Sequence, residues 1–261
     1  MGERAPGGQA LADLLARQDI WRGRQTRPAG GQTEEGVASG WPALDALLGG
    51  GWPREGLVEL YADAPPPRHT RQPIDRLDRA PLTAWRDWFQ ASLGYGITAL
   101  LLPWIAALSR TERVALINPP ARPCAERWQR EGVVLDNLLL VAPRDLRELG
   151  WATEEVLQAG VYPLVLSWLP PLGFALRRRL KLAAESGGSC LVTPYPGQPG
   201  KAASPAGVQL MVRRHDGSLA VRRHKPFHPD AVHLGLGTTS PVPSSTQGET
   251  TAPTLTLAGR G

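Results

Sequence analysis

The sequence predicts an α/β domain with a mostly parallel central sheet flanked by helices. Three observations predict it. Short apolar runs are bounded by turn residues, stretches of helical length separate these runs, and 42% of the 261 residues are hydrophobic, which suffices for one core of ordinary size. Strands that alternate with helices of this length require crossover connections, which build parallel sheets covered on both faces. We therefore expect one folded domain at 37–235.

The N-terminal region, 1–36, is predicted as a short amphipathic helix within 8–24 followed by a linker rich in Gly, Gln and Pro. At the end of the helix stand three candidate partner-binding residues, Ile20, Trp21 and Arg22. Aromatic and arginine anchors are enriched at protein interfaces, so this segment could dock on a partner. The alternative is that Trp21 packs on its own core.

The core begins with a buried strand, "LVELYA" at 57–62, and an insertion at about 63–93 follows it. The insertion is charged and broken by prolines, with a helical piece near 85–89. A regular alternation comes next. The predicted helices lie at 97–108, 122–131, 145–159 and 172–186, and the predicted strands at 113–118, 138–143, 162–168 and 189–193.

The C-terminal part of the domain, "GVQLMVRRHDGSLAVRRHKP", consists of two alternating runs joined at Asp216 and Gly217. This pattern predicts a β-hairpin with a primed turn. The segment 236–261 is poor in large apolar groups, and we expect it to be disordered.

Composition excludes several classes of protein. The start of the chain has no apolar signal segment, and the longest apolar run has a proline inside it, so we expect neither secretion nor a membrane span. Cys124 and Cys190 stand far apart with no metal-ligand spacing, which indicates a reducing cytoplasm and no metal. The net charge of +5 favours acidic partners such as nucleic acid.

A phosphate-binding loop is expected directly after the first strand of such a sheet, and the residues there do not fit one. Three consecutive prolines at 65–67 provide no backbone N–H groups to cradle a phosphate. Arg68 and Thr70 stand near the positions of the lysine and the hydroxyl in such a loop. No lysine precedes Lys181. We therefore expect a degenerate loop.

A second register, meaning a second way to align the sequence with a phosphate-binding loop, uses Gly94, Gly96 and Thr98, at the start of the helix 97–108. No cationic residue lies between Arg86 and Arg110. Each charge-assisted hydrogen bond is worth about 1.5 to 3 kcal/mol, so losing two or three weakens a bound nucleotide by roughly a hundredfold to a millionfold. We expect no cofactor in this register either.

The other positions of an ATPase site also lack the expected groups. The strand opposite the loop ends at Ser167 and Trp168 instead of an aspartate, and the second strand ends at Asn118 instead of an acidic residue. The last core strand offers Thr193 as a polar sensor, but a proline follows it. Phosphoryl transfer depends on such groups, so we expect a protein that is not an enzyme.

The predicted hairpin carries a concentration of basic residues at matching ends of its two strands. Such a patch could bind nucleic acid or an acidic partner, with an affinity that falls as salt rises. The alternative is a solvated sheet edge that charge protects from aggregation. The candidate residues are Arg213, Arg214, Arg222, Arg223 and Lys225.

The stretch "VASGWPALDALLGGGWPREGLVELYA" resembles the start of the RecA-type ATPase core. Further stretches make the chain similar to the RecA-like, SulA-like family called ImuA, and the resemblance covers roughly 10–225. The insertion at about 63–93 departs from the family's pattern. The stretches are "LLARQDIWRGR", "SGWPALDALLGGGWP", "NPPARPCAERW", "LLLVAPRDLRELGWATEEVLQAG", "LVLSWLP", "LRRRLKLAAESGG" and "ASPAGVQLMVRR".

The resemblance implies a RecA-like domain that acts as a non-catalytic accessory in SOS-induced translesion DNA synthesis. Its implied partners are a Y-family-like DNA polymerase subunit, an error-prone replicative polymerase and RecA. One alternative is a SulA-like inhibitor of cell division that binds a tubulin-like GTPase. Another is a divergent ATPase, which requires either that Arg68 and Thr70 rebuild the nucleotide site or that a neighbouring subunit supplies a cation.

Overall fold

The structure of the protein is a computed structural model. The chain divides into two compact units, Met1–Glu34 and Glu35–Gly261. All residues that the structure describes belong to the second unit, so the predicted helix at 8–24 and most of the predicted tail lie outside them. The described residues are 36–63, 73–91, 96–200, 203–215 and 217–236.

The described part of the second unit forms an eight-stranded sheet with the order β3-β2-β4-β5-β1-β6-β7-β8. The first six strands of this order, from the edge strand β3 to β6, are parallel to one another. Strand β7 is antiparallel to both β6 and β8. The predicted mostly parallel α/β sheet is therefore confirmed. The strands are β1 Gly56–Ala62, β2 Val114–Ile117, β3 Leu138–Val141, β4 Leu164–Ser167, β5 Cys190–Pro196, β6 Val208–His215, β7 Ser218–Lys225 and β8 Ala231–Gly235.

Helices connect the parallel strands, and their bounds lie within a few residues of the predicted ones. Two single turns of 3-10 helix, Leu82–Trp85 and Leu135–Asn137, supplement them. The α-helices of the described part are α1 Pro42–Leu48, α2 Arg86–Ala91, α3 Ile97–Leu108, α4 Ala125–Arg130, α5 Leu146–Gln158 and α6 Phe174–Ser186.

The helices cover the two faces of the sheet in the way that right-handed crossovers require. Helix α5 packs on β2 and β4, and helix α6 packs on β1 and β5. Helix α1 lies against β7 and β8 on the opposite face of the sheet, together with α3. There Trp41 Nε1 donates to the carbonyl of Leu100, and the rings of Trp52 and Trp104 stack with their centroids 5.1 Å apart. The apolar core thus extends on both sides of β1.

Helix α5 shows how local sequence sets an element boundary. Asp145 precedes the helix in an extended conformation, and its side chain accepts a hydrogen bond from the backbone N–H of Glu148 at 2.8 Å. This N-cap satisfies one of the free donors of the first turn and stabilises the helix by about 1 kcal/mol. The polar cap fixes the position at which α5 starts.

The described part of the insertion, 73–91, packs across the first turns of α5 and α6. Ile74 forms a bridge with Leu172, and Pro81 forms one with Asp145. A Cβ on Gly150 of α5 would overlap with Leu77, so the insertion lies close against this helix. The predicted helical piece near 85–89 is present as a 3-10 turn followed by α2.

Strand β5 is longer than predicted. The prediction ends this strand before Pro194, whereas the strand continues to Pro196. The backbone N–H of Cys190 donates to the carbonyl of Pro163 on the side of β4. Backbone N–H groups alternate between the two sides of a strand, so the nitrogens of Pro194 and Pro196 also face the β4 side. Because β4 pairs with β5 only as far as Val192, neither proline breaks a ladder hydrogen bond.

Among the described residues, no helix is both long enough and apolar enough to cross a membrane.

Candidate functional site

The carboxyl ends of the parallel strands meet at one edge of the sheet, which is the usual position of a ligand site in such folds. The residue after β1, Asp63, is tied to β6 there, because its N–H donates to Val212 and its carboxylate accepts from Arg213 Nε at 2.6 Å. The candidate loop residues Arg68 and Thr70 lie outside the described residues.

The second candidate register lies at the start of α3. Gly94 lies outside the described residues, whereas Gly96 has a φ of 90° and directly precedes the helix. A Cβ on Gly96 would overlap with Cδ2 of Leu219, which is fully buried. Thr98 is half-buried in the first turn. An apolar side chain of β7 thus occupies the space beside the N-terminus of the helix.

The ends of β2 and β4 carry polar groups that bond within the protein. Asn118 has a positive φ of 54°, and its side-chain amide donates to the carbonyl of Trp168 at 3.0 Å. The hydroxyls of Ser167 and Thr153 are both buried and lie 3.0 Å apart. At the positions where an ATPase would carry acidic groups, this chain carries neutral groups with internal partners.

A buried carboxylate at the centre of the sheet is the most heavily bonded group in the described part of the chain. Glu59 in β1 is completely buried. It accepts hydrogen bonds from Arg177 Nη1 at 3.1 Å, from the Tyr61 hydroxyl at 3.0 Å, from Ser204 Oγ at 2.9 Å and from Gln209 Nε2 at 2.6 Å. We call these five residues the Glu59 cluster. A buried charge requires such compensation.

The pKa values of two tyrosines at the Glu59 cluster are raised. Burial raises the pKa of Tyr61, and the negative charge of Glu59 raises it further. Burial likewise raises the pKa of Tyr195, with a smaller contribution from Glu59. Both hydroxyls therefore stay protonated at physiological pH and remain hydrogen-bond donors.

Two cavities lie beside this cluster, on the face of the sheet that α6 covers. The first, which we call the aromatic cleft, has a volume of about 220 Å³ and includes Tyr61, Trp88 and Tyr195. The second has a volume of about 370 Å³ and lies over β6, β7 and β8. Gln198 lines both cavities. Among the described residues, no cluster of His, Cys, Asp and Glu could hold a metal ion.

The basic residues of the β6–β7 pair do not lie at matching ends of the two strands, so this part of the prediction is wrong. Arg213 lies opposite Ala220, whereas Arg222 lies opposite Met211. Arg213 and Arg222 are consequently diagonal neighbours on one face, where both line the second cavity. Its floor includes Met211, and His233 of β8 completes a basic surface that we call the open sheet face.

The other three predicted basic residues do not join the open sheet face. Arg214 follows Arg213 along the strand and therefore lies on the opposite face, where it is exposed. Arg223 Nη1 donates to the carbonyl of Leu47 at 2.9 Å. Lys225 Nζ donates to the carbonyl of Ser204 at 2.7 Å. The last two thus have structural partners within the domain.

The predicted partner-binding residues Ile20, Trp21 and Arg22 lie outside the described residues. Sequence reasoning missed the Glu59 cluster and the aromatic cleft. The available signal was an acidic residue, Glu59, inside the apolar run "LVELYA", because an acidic side chain in a buried strand requires partners elsewhere in the chain.

Comparison with known proteins places this structure in a family. The profile of a family described as cell division inhibitor SulA matches residues 91–190, from the end of α2 to the start of β5. Cell division inhibitor SulA of Edwardsiella piscicida is 34% identical over 125 residues, which are 45% of this chain and 74% of the relative. SulA of Serratia marcescens is 33% identical over 92 residues, 35% of this chain and 55% of the relative.

A solved structure of the RadB recombinase covers 76% of this chain and 93% of its own, with a TM-score of 0.53 and 14% identity. At this identity the likeness concerns the fold alone, and it confirms the expected RecA-like architecture. The match to SulA is coarser than the predicted ImuA family, which it does not name. This chain is 34% identical to a SulA protein and covers 74% of that protein's length, so it belongs to the SulA family.

Proposed function

We propose that this protein is a non-catalytic accessory of SOS-induced translesion DNA synthesis, of the ImuA type. It acts by binding a Y-family-like DNA polymerase subunit, together with an error-prone replicative polymerase and RecA. The resemblance to ImuA supports this proposal because it extends over roughly 10–225, whereas the SulA match covers 91–190. Strands β1, β6, β7 and β8 lie outside that match.

The contact between Leu219 and Gly96 carries the non-catalytic part of the proposal. A nucleotide phosphate binds at a helix N-terminus because free N–H groups and the helix dipole face it there. The buried Leu219 packs against Gly96, the residue that precedes α3, so an apolar side chain lies beside the helix N-terminus where a phosphate would need polar contacts. The helix Ile97–Leu108 itself carries no cationic residue that would compensate an anion for its lost water.

The neutral groups at the neighbouring strand ends support the same proposal. Magnesium requires carboxylate or hydroxyl oxygens that are free to face it. The hydroxyl of Ser167 is buried against Thr153, and the amide of Asn118 is used by the carbonyl of Trp168. These internal contacts support a protein that acts through its surfaces and not through hydrolysis.

Co-purification tests this function. The full chain, tagged and expressed from its own promoter in cells treated with a DNA-damaging agent, should retain a Y-family-like polymerase at a stoichiometric level. A matched preparation of Trp151→Ala, which changes an exposed side chain of the segment shared with SulA, should retain the polymerase equally well. Absence of any polymerase from a folded, damage-induced preparation would refute the proposal.

A second candidate function is inhibition of cell division through a tubulin-like GTPase, and the names of the SulA relatives favour it. In the described part of the matched segment, two of the exposed apolar side chains are aromatic, and a partner could cover them. Trp151 on α5 is 60% exposed, and Phe174 at the start of α6 is 47% exposed. Large exposed aromatic side chains of this kind are frequent in protein interfaces.

The second function is tested by assembly of the purified division GTPase in the presence of the full chain. Inhibition that Trp151→Ala weakens at least tenfold would support it, and unchanged assembly at a tenfold excess of this protein would exclude it. Because Trp151→Ala is expected to leave polymerase binding intact, the same variant separates the two functions.

A further inference from the structure

The aromatic cleft is lined by rings from four parts of the chain. Its volume is about 220 Å³. The insertion supplies two residues of the lining, Pro73 and Trp88. Both residues precede the segment 91–190 that matches the SulA family profile, so that match does not account for this part of the cleft. The ring-bearing residues of the lining are Tyr61, Pro73, Trp88, Pro171, Tyr195 and Pro196.

Two buried hydrogen-bond donors of this lining have no partner in the described structure. They are Nε of Arg177 and Nε1 of Trp88. The Arg177 side chain is only 12% exposed. Buried donors are nearly always paired in folded proteins. Of the six unpaired buried side-chain atoms in the described structure, these two belong to residues that line one cavity, where the acceptors of a ligand would pair them.

The charge of the cleft decides which acceptors fit. The guanidinium of Arg177 is neutralised by Glu59 through Nη1, and its Nη2 donates to the carbonyl of Ala203. The hydroxyls of Tyr61 and Tyr195 carry no charge, since burial raises the pKa of both still further, and the Tyr61 hydroxyl already donates to Glu59. The cleft thus offers neutral donors without net positive charge, which suits carbonyl oxygens better than phosphates or carboxylates.

The arrangement of the aromatic rings determines which kind of ligand can pack in the cleft. The rings of Tyr61 and Tyr195 are tilted by 36° with their centroids 5.5 Å apart, and both residues line the cleft. Extended proline-rich segments bind in such aromatic grooves, because their rings pack on the aromatic side chains while their carbonyls accept hydrogen bonds.

We propose that the aromatic cleft binds a proline-bearing peptide segment of a partner protein in the extended polyproline conformation. The prolyl rings pack on Tyr61, Tyr195 and Trp88, and the peptide carbonyls accept from Trp88 Nε1 and Arg177 Nε. This site does not depend on which partner the proposed function requires, since the chemistry concerns the peptide alone.

Nuclear magnetic resonance tests the proposal with the full chain and the peptide acetyl-Ala-Pro-Pro-Ala-Pro-Pro-Ala-amide. The indole N–H signal of Trp88, assigned by its absence in Trp88→Phe, should shift with this peptide and stay in place with a peptide in which glycine replaces each proline. Trp88→Phe keeps an aromatic ring but removes one donor, so it should weaken binding roughly threefold to tenfold.

Trp151→Phe is the matched control, because it makes the same change at an exposed position on α5 and should leave the affinity unchanged. An unmoved Trp88 signal at millimolar peptide would overturn the proposal, as would equal binding by Trp88→Phe and the unaltered chain. A signal that moves with inorganic phosphate or a polyglutamate peptide, but not with the proline peptide, would also overturn it, because it would assign the cleft to an anion.

Discussion

Arg177 of α6 contacts Glu59 of β1 at the centre of the domain, with Nη1 of the guanidinium 3.1 Å from Oε1 of the carboxylate. Glu59 is fully buried, with 0% of its side chain exposed, and Arg177 is mostly buried, with 12% exposed. Ser204 and Gln209 donate to the same carboxylate from the segment that leads into β6 and from β6 itself. This pair therefore joins a surface helix, the central strand and the start of the β6–β7 pair.

Glu59→Gln should destabilise the protein by about 3 to 5 kcal/mol, because it leaves the buried guanidinium of Arg177 without its counter-charge. Combining it with Arg177→Met should recover part of this loss, since the double variant buries no unpaired charge. Urea denaturation of the two single variants and the double variant measures the coupling. Additive free energies in this cycle would show that the pair does not act as a unit.

Gly96→Ala should destabilise the fold by about 2 to 5 kcal/mol, because the left-handed backbone and the contact with Leu219 both resist a Cβ. Gly217→Ala is the matched control, since its φ of 78° is similar and a Cβ there meets no described atom within 4 Å. It should cost only about 1 to 2 kcal/mol. Equal losses in thermal unfolding would contradict the close contact at the start of α3.

The open sheet face should bind single-stranded DNA weakly, with an affinity that falls as salt rises. Arg222 has no polar partner among the described residues, whereas the charge of Arg213 is shared with Asp63 at 2.6 Å. Arg222→Gln should therefore reduce the slope of log affinity against log salt by about 0.7. Arg214→Gln, on the opposite face, should leave the slope unchanged. Identical slopes for both variants in fluorescence anisotropy would assign these arginines to a solvated edge.

Glu154 gives the stability of the domain a pH dependence. The hydrogen bond from Arg179 holds the pKa of Glu154 below its ordinary value of 4.5. A carboxylate with a lowered folded pKa contributes stability above its unfolded pKa and loses it as the pH falls through the folded value. Because Arg179 is 63% exposed, the contribution is at most about 1 kcal/mol.

Glu154→Gln should consequently lower the urea midpoint at pH 7, and the difference from the unaltered chain should shrink as the pH falls below 4.5. Glu126→Gln serves as the control, since its partner Arg130 lies 3.9 Å away and both side chains are almost fully exposed. A difference that stays constant from pH 7 to pH 3 would show that the loss at Glu154 is not electrostatic.

Most of the fold could be predicted because it depends on patterns that are local in sequence. Helix α3 has its predicted bounds, since its apolar run is flanked by Gly96 and by a polar segment. The end of β5 could not be predicted in this way. Whether Pro194 interrupts a strand depends on how far the neighbouring β4 extends, and that is a property of the assembled sheet.

Less of the candidate site could be predicted, because its residues meet only in the folded chain. Glu59 is separated by 118 residues from Arg177, by 145 from Ser204 and by 150 from Gln209. The basic residues of β6 and β7 are visible in the sequence, but their arrangement follows from strand register. Arg213 and Arg222 share a face only because they lie diagonally across the ladder.

The central proposal is that this RecA-like domain does not bind or hydrolyse ATP. Calorimetric titration of the full chain with ATP and magnesium tests it most directly. We predict no binding tighter than about millimolar, since the lost phosphate contacts each contribute about 1.5 to 3 kcal/mol. Micromolar, magnesium-dependent binding that Arg68→Ala abolishes would contradict this prediction. It would show that the domain has a functional ATP site.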